Sequence, residues 1–311
     1  MDDKDDVVEM DDEAEVLARV TRWAADQPLV RAMVLESSRA VDGAALDAFS
    51  DYDVLLVVAD VRPFAEDDGW LAGIGVPLVR FRDAEPIEGF ETLARLVLYE
   101  DSIKVDYMVW PAALLRRVVE TQRLPDLLDW GYRVLLDKDD LTVGLPMPTR
   151  RAHIPTRPSA AAYQALVEEF WWETTYVAKN LWRDDLPHAR YCLDVVMKHD
   201  LLLRMLEWRI EIERDWSWKP GPVGKGLKRE LPPALWSALE VTFVGPDIAE
   251  NWRALFATTA LFRQAAVAVG AALGYVYPDA LDRRVTAYLM AVRARPRGGG
   301  YEVRSPQRKR R

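Results

Sequence analysis

The sequence is poor in the residues that most often carry metal or redox chemistry. Among 311 residues there is one cysteine, Cys192, and there are three histidines, His153, His188 and His199. An intrachain disulfide and a cysteine-rich zinc site are excluded, and histidine-based metal chemistry has little material. No uninterrupted apolar stretch of about 18 residues occurs, so no membrane span is expected. The first residues, Met1-Asp2-Asp3-Lys4-Asp5-Asp6, lack the basic start of a signal peptide. No internal repeat is visible. These absences predict a soluble, cytoplasmic protein.

What is present is enough to build a large core. Half of the residues are hydrophobic and 29% are charged, which excludes global disorder. The length predicts about two domains of roughly 150 residues each. The net charge of −9 is unevenly spread. Residues 1–15 are strongly acidic, residues 293–311 are strongly basic, and the body between them is acidic. An acidic body argues against nucleic acid as a partner. Any phosphate handled here has to be held locally.

Residues 1–27 read as an acidic helix leading into Val16, Val20 and Trp23, spaced as on one helical face. Short β-branched runs follow at Val30–Leu35, Val54–Val58, Val76–Phe81 and Val105–Val109. Ala94–Tyr99 pairs with Ile103–Val109 through a turn at Glu100-Asp101-Ser102. Tyr132–Leu136 reads as a further strand or as a helix end. The cluster Pro146, Pro148, Pro155 and Pro158 marks a linker. Beyond it helices are expected from Ser159 or Pro158 to about Arg183, and over 189–213, 233–241, 248–273 and 278–292. The expected organisation is an α/β (α+β) domain with a mixed sheet over 1–150, an all-α helical bundle over 151–293, and a basic, disordered tail over 294–311.

The chemistry is concentrated in acids. Asp51-Tyr52-Asp53 opens the apolar run Val54–Val58, and residues i and i+2 of a strand share a face. Two carboxylates that close repel unless a cation stands between them, and Mg²⁺ prefers such hard oxygen ligands. Asp106, flanked by Val105 and Tyr107, can join them from a neighbouring strand. Three carboxylates so placed suit a two-metal phosphoryl or nucleotidyl transfer site. Upstream, Ser37-Ser38-Arg39 follows a strand and opens a helical turn, where backbone N–H groups, a serine hydroxyl and a guanidinium can hold phosphate oxygens. Taken singly, an Asp-x-Asp is a common turn feature and a Ser-Ser-Arg is an ordinary helix cap.

Together these residues resemble the aminoglycoside 6-adenylyltransferases, the streptomycin-modifying members of the DNA polymerase β-like nucleotidyltransferase superfamily. Further similarity lies in Leu135-Leu136-Asp137-Lys138-Asp139, Glu169-Phe170-Trp171-Trp172, Thr175–Lys179, Leu202-Leu203-Arg204-Met205 with Trp208, Leu261-Phe262-Arg263 and Tyr277-Pro278. The resemblance spans about residues 16–292. It implies transfer of AMP from ATP to the 6-hydroxyl of streptomycin, with release of pyrophosphate and resistance to the drug. It also implies Mg²⁺ on Asp51, Asp53 and Asp106, and phosphates on Ser37, Ser38, Arg39 and Lys179. Asp106 is the first choice for the general base and Glu169 the second. One departure stands out: the family has Gly where this chain has Ser37, and serine fits readily there only if its φ is negative.

Glu169, Trp172, Tyr176, Lys179 and Arg183 are spaced 3, 4, 3 and 4 apart, one helical face. An acid and two aromatics on that face suit a guanidinium-rich aminoglycoside, placed in a cleft between the halves. Two other readings remain open: a nucleotidyltransferase with a different acceptor, and a catalytically degenerate homologue that only binds its ligand.

Overall fold

The computed structural model describes residues 13–44 and 46–296. The chain divides into two compact units after Ala152. Most of the acidic N-terminal segment and nearly all of the basic tail lie outside the described residues.

The first unit is built on alternating apolar runs. Helix α1 (Glu13–Asp26) precedes strand β1 (Val30–Glu36), and a single 3₁₀ turn, Ser37–Ala40, ends β1. Then come β2 (Tyr52–Val58), α2 (Arg62–Glu66), β3 (Pro77–Asp83), β4 (Leu93–Tyr99), β5 (Lys104–Pro111), α3 (Ala112–Thr121), α4 (Asp126–Asp129) and β6 (Tyr132–Asp137). The strands form one mixed sheet in the order β3-β4-β5-β2-β1-β6. β2 and β5 run parallel, and the other pairs are antiparallel.

Both faces of the central strands are covered. One face sends Met33, Leu35, Val54, Leu56, Val105 and Tyr107 into a core with Val16, Val20 and Trp23 of α1. The other sends Ala32, Val34, Leu55, Val57 and Trp110 against Leu114, Leu115 and Val118 of α3. Two buried faces explain why β1 and β2 read as continuous apolar runs rather than as alternating ones.

The second unit is helical. It contains α5 (Ala160–Arg183), α6 (Leu186–Arg190), a π-helical stretch (Tyr191–Leu202), α7 (Leu203–Glu213), α8 (Leu227–Glu230), α9 (Pro233–Glu240), α10 (Ile248–Leu273) and α11 (Asp279–Ala294). Ser159 caps α5 by accepting from Ala162 N–H, and Asp247 caps α10 by accepting from Glu250 N–H. The single helix expected over 189–213 is three segments with a π-helical centre. Helix α10 is long and apolar enough to cross a membrane by length and composition, but 56% of its most apolar window is buried. Phe262 from α10 stacks on Phe170 of α5 at 3.5 Å between ring centroids, the packing of a core helix.

Candidate active site

Strand pairing places the acids. Asp53 on β2 is the register partner of Asp106 on β5, and of Glu36 on β1. The three therefore form a row across neighbouring strands, on the face that carries Ala32, Val34, Leu55, Val57 and Trp110 further along. Asp51 stands just ahead of β2. As the sequence predicts, Val105 and Tyr107 point the other way and are fully buried.

Glu36 was not among the expected site residues. It is 3% exposed, and its Oε2 has no hydrogen-bond partner. Burial, and then the nearby Asp53 charge, push its carboxyl well above the usual range. Burial is also the largest influence on Asp53, followed by repulsion from Asp106; its carboxyl is pushed up to about 6. Asp106 is raised as well, by burial first, although Lys104 pulls the other way.

A cationic side chain stands beside these acids. Lys104 Nζ lies 2.6 Å from Asp51 Oδ2 and 2.9 Å from Asp106 Oδ2. Burial works against the Lys104 charge, but the two carboxylates outweigh it and raise its pKa. Consistent with this, no three acids, histidines or cysteines converge into a ready-made metal cage among the described residues. The donor set nevertheless fits a divalent cation. Its atoms are hard carboxylate oxygens, and Asp106 Oδ1 is buried without a partner.

The Ser37–Arg39 segment has two features that bear on the expected phosphate site. Ser37 has φ +63°, inside the left-handed region that favours glycine. The negative φ that would suit serine is not adopted. Its hydroxyl hydrogen-bonds the Asp53 carboxylate and lowers that group's pKa against the larger effect of burial. Arg39, expected on phosphate, is held by groups of the protein itself. Its Nε donates to Asp51 O at 3.0 Å, its Nη2 to Ser50 O at 2.7 Å and its Nη1 to Glu13 Oε2 at 2.9 Å. The guanidinium also covers the Tyr52 ring at 3.8 Å. Arg39 thus fixes the backbone that carries Asp51. Ser38 is the second residue of the 3₁₀ turn, and its carbonyl accepts from Val41 N–H. That turn spans only four residues, too short for a helix-dipole anion site.

In the second unit, α5 divides the Glu-Phe-Trp-Trp block between core and surface. Phe170 and Trp171 are fully buried. Trp171 Nε1 donates to Tyr277 Oη at 3.1 Å, and Tyr277 Oη donates to Asp282 Oδ2 at 2.8 Å. Arg263 ion-pairs with the same Asp282. The family-like residues Trp171, Arg263 and Tyr277 therefore share one internal network. Glu169 and Trp172 are exposed, Trp172 by 61%. Trp172 meets Tyr176 edge-on at 5.9 Å, and Lys179 Nζ sits 4.4 Å from the Tyr176 ring centroid. The predicted polar–aromatic strip is present. Beside it, Glu173 is raised by burial and by Glu169.

Known proteins are similar to this chain over most of its length. Residues 10–292 match the family described as Streptomycin adenylyltransferase. The aminoglycoside 6-adenylyltransferase of Bacillus subtilis (strain 168) is 32% identical over 90% of this chain and 97% of its own length. That of Campylobacter jejuni is 30% identical over 90% of this chain and 96% of its own. A crystal structure of an aminoglycoside 6-adenyltransferase from Bacillus subtilis aligns at 29% identity over 91% of this chain and 99% of that one, with a TM-score of 0.46. Resting on the sequence matches, the assignment is plain: this chain belongs to the streptomycin adenylyltransferase family.

Proposed function

We propose that the protein transfers AMP from ATP to the 6-hydroxyl of streptomycin or a close aminoglycoside, releases pyrophosphate, and so confers resistance in the cytoplasm. The observation that carries this reading is the pairing of Asp53 with Asp106 on adjacent parallel strands, with Asp51 at the head of β2. Family membership supports the same reaction class.

Asp51, Asp53 and Asp106 would hold Mg²⁺, which supplies charge neutralisation at the α-phosphate. Ser37 holds Asp53 through its hydroxyl, and Arg39 holds the main chain of Ser50 and Asp51. Ser38 and Lys179 are assigned to the nucleotide phosphates. Glu169, Trp172 and Tyr176 are assigned to the polycationic drug, through ion pairing and cation–π contact. Asp106 is the first candidate to take the hydroxyl proton, and Oδ2 is the oxygen in question, since Oδ1 is buried. Glu169 is the alternative base.

The test is to incubate the protein with streptomycin, ATP and Mg²⁺ and weigh the drug. A gain of one AMP unit supports the proposal. No gain with streptomycin but a gain with another aminoglycoside moves the acceptor. No transfer at all, with ligand-induced thermal stabilisation, supports the degenerate homologue that Ser37 at φ +63° keeps open.

A further inference from the structure

Lys104 stands two residues before Asp106 on β5, so both side chains leave the same face of the sheet. Its ammonium reaches two acids on different chain segments, Asp51 at 2.6 Å and Asp106 at 2.9 Å. The Lys104 side chain is 37% exposed, so the bridge stands at the edge of solvent rather than in the core. Three carboxylates, Asp51, Asp53 and Asp106, face this one ammonium. Two negative charges remain, the charge of one divalent cation. Asp106 keeps a buried oxygen with no partner.

We infer that Lys104 is an internal counter-ion that competes with a divalent cation for Asp51 and Asp106, and passes to a nucleotide phosphate when the cation arrives with it. A lysine suits this exchange. Its ammonium is a compact charge with three donors on a flexible stem, and a partly exposed ion pair is readily opened. Without nucleotide, Lys104 holds the two acids together and keeps free cations out. With nucleotide, the phosphates offer the ammonium a new partner while the cation takes its oxygens. Metal and nucleotide therefore bind together rather than independently. The nucleotide half of this inference rests on the proposed adenylyl transfer; the competition half rests on the carboxylates alone.

Two variants test it, with Mn²⁺ as the probe and its free signal read by electron paramagnetic resonance. Lys104→Met removes the charge but keeps a long stem, and Lys104→Arg keeps the charge. In the nucleotide-free full-length protein, Lys104→Met is expected to bind Mn²⁺ about tenfold tighter than the parent, and Lys104→Arg to match the parent. With Mn²⁺ present, ATP is expected to bind about tenfold more weakly to Lys104→Met and to recover in Lys104→Arg. A Lys104→Met protein whose Mn²⁺ affinity does not rise overturns the competition, as does absence of Mn²⁺ binding in both proteins. Unchanged ATP affinity overturns the passage to phosphate. If the parent adenylylates the drug while Lys104→Met gains no Mn²⁺ affinity, this inference falls and the proposed function stands. If Mn²⁺ affinity rises but the parent transfers nothing, the competition stands and the proposed function falls.

Discussion

Glu36, Asp53 and Asp106 are held in a row by strand pairing, whereas Glu169, Trp172, Tyr176 and Lys179 share only the spacing of a helix face. The contrast follows from what each group must overcome. Like charges at close range repel, and main-chain hydrogen bonds of a sheet with both faces buried hold them against that repulsion; a slip of one residue would turn every acid to the wrong face. The strip on α5 mixes an acid, two aromatics and a cation, which attract one another and need no such restraint. The sheet stores electrostatic strain, and the helix presents a surface.

The contrast can be broken most sharply at the acids. Asp51→Asn and Asp53→Asn are each expected to lower kcat/KM for AMP transfer by about 10³-fold, as removal of a group that stabilises transition-state charge does. Full activity in both would remove the metal assignment. The neighbouring tryptophans come next. Trp171→Ala is expected to destabilise the protein by roughly 3–5 kcal/mol, as for a fully buried aromatic. Trp172→Ala should leave the urea midpoint nearly unchanged and raise KM for the drug about tenfold, with KM for ATP unaltered. Equal effects on stability would erase the division between core and surface on α5.

A smaller effect concerns pH. Asp53 is raised from 3.8 to about 6, by burial first and then by Asp106. An acid raised in the folded state contributes stability that is complete below its unfolded pKa and lost as pH rises through the folded one. The shift corresponds to roughly 3 kcal/mol at most. Without divalent cation, Asp53→Asn should therefore be more stable than the parent well above pH ~6 and no more stable near pH ~4, by urea unfolding. An advantage independent of pH would point to packing instead. The smallest effect is expected at Ser37. A left-handed φ costs a serine about 1 kcal/mol, and its hydrogen bond to Asp53 returns about as much. Ser37→Gly should change stability by less than ~1 kcal/mol while moving the Asp53 titration upward, as followed by carboxyl-carbon NMR. A titration that stays put would show that the hydroxyl does not govern Asp53.

Much of the fold is legible in the sequence because its signals are local. Helix α10 runs over the expected residues since Asp247 caps its start and Gly274, at φ +76°, ends it. The strand alternative for Tyr132–Leu136 is the one realised, as β6. The π-helical centre of 191–202 is not legible, because an i→i+5 ladder needs no apolar spacing distinct from that of an α-helix. At the site, Asp53 and Asp106 were readable from their places on two expected strands, taken together with Asp51 and Ser37–Arg39. Glu36 was not, since its place opposite Asp53 depends on how the chain from 37 to 51 returns. Lys104 had a signal, the i, i+2 relation to Asp106. It carries no meaning until Asp51 is known to lie within reach. The serine at 37 conceals its own backbone conformation.

The Arg39 clamp has a consequence for how this protein can change. Arg39 ties the far end of the 41–50 excursion, at Ser50 and Asp51, back to its near end. Between those ends Phe49 is 92% exposed, and its neighbours Asp47 and Ala48 also face solvent. Length and composition there can drift, or be exchanged by design, without the change reaching the first carboxylate. A region next to the candidate site is thus mechanically insulated from it, and new loops can be tried at that position while the candidate acids stay where the sheet put them.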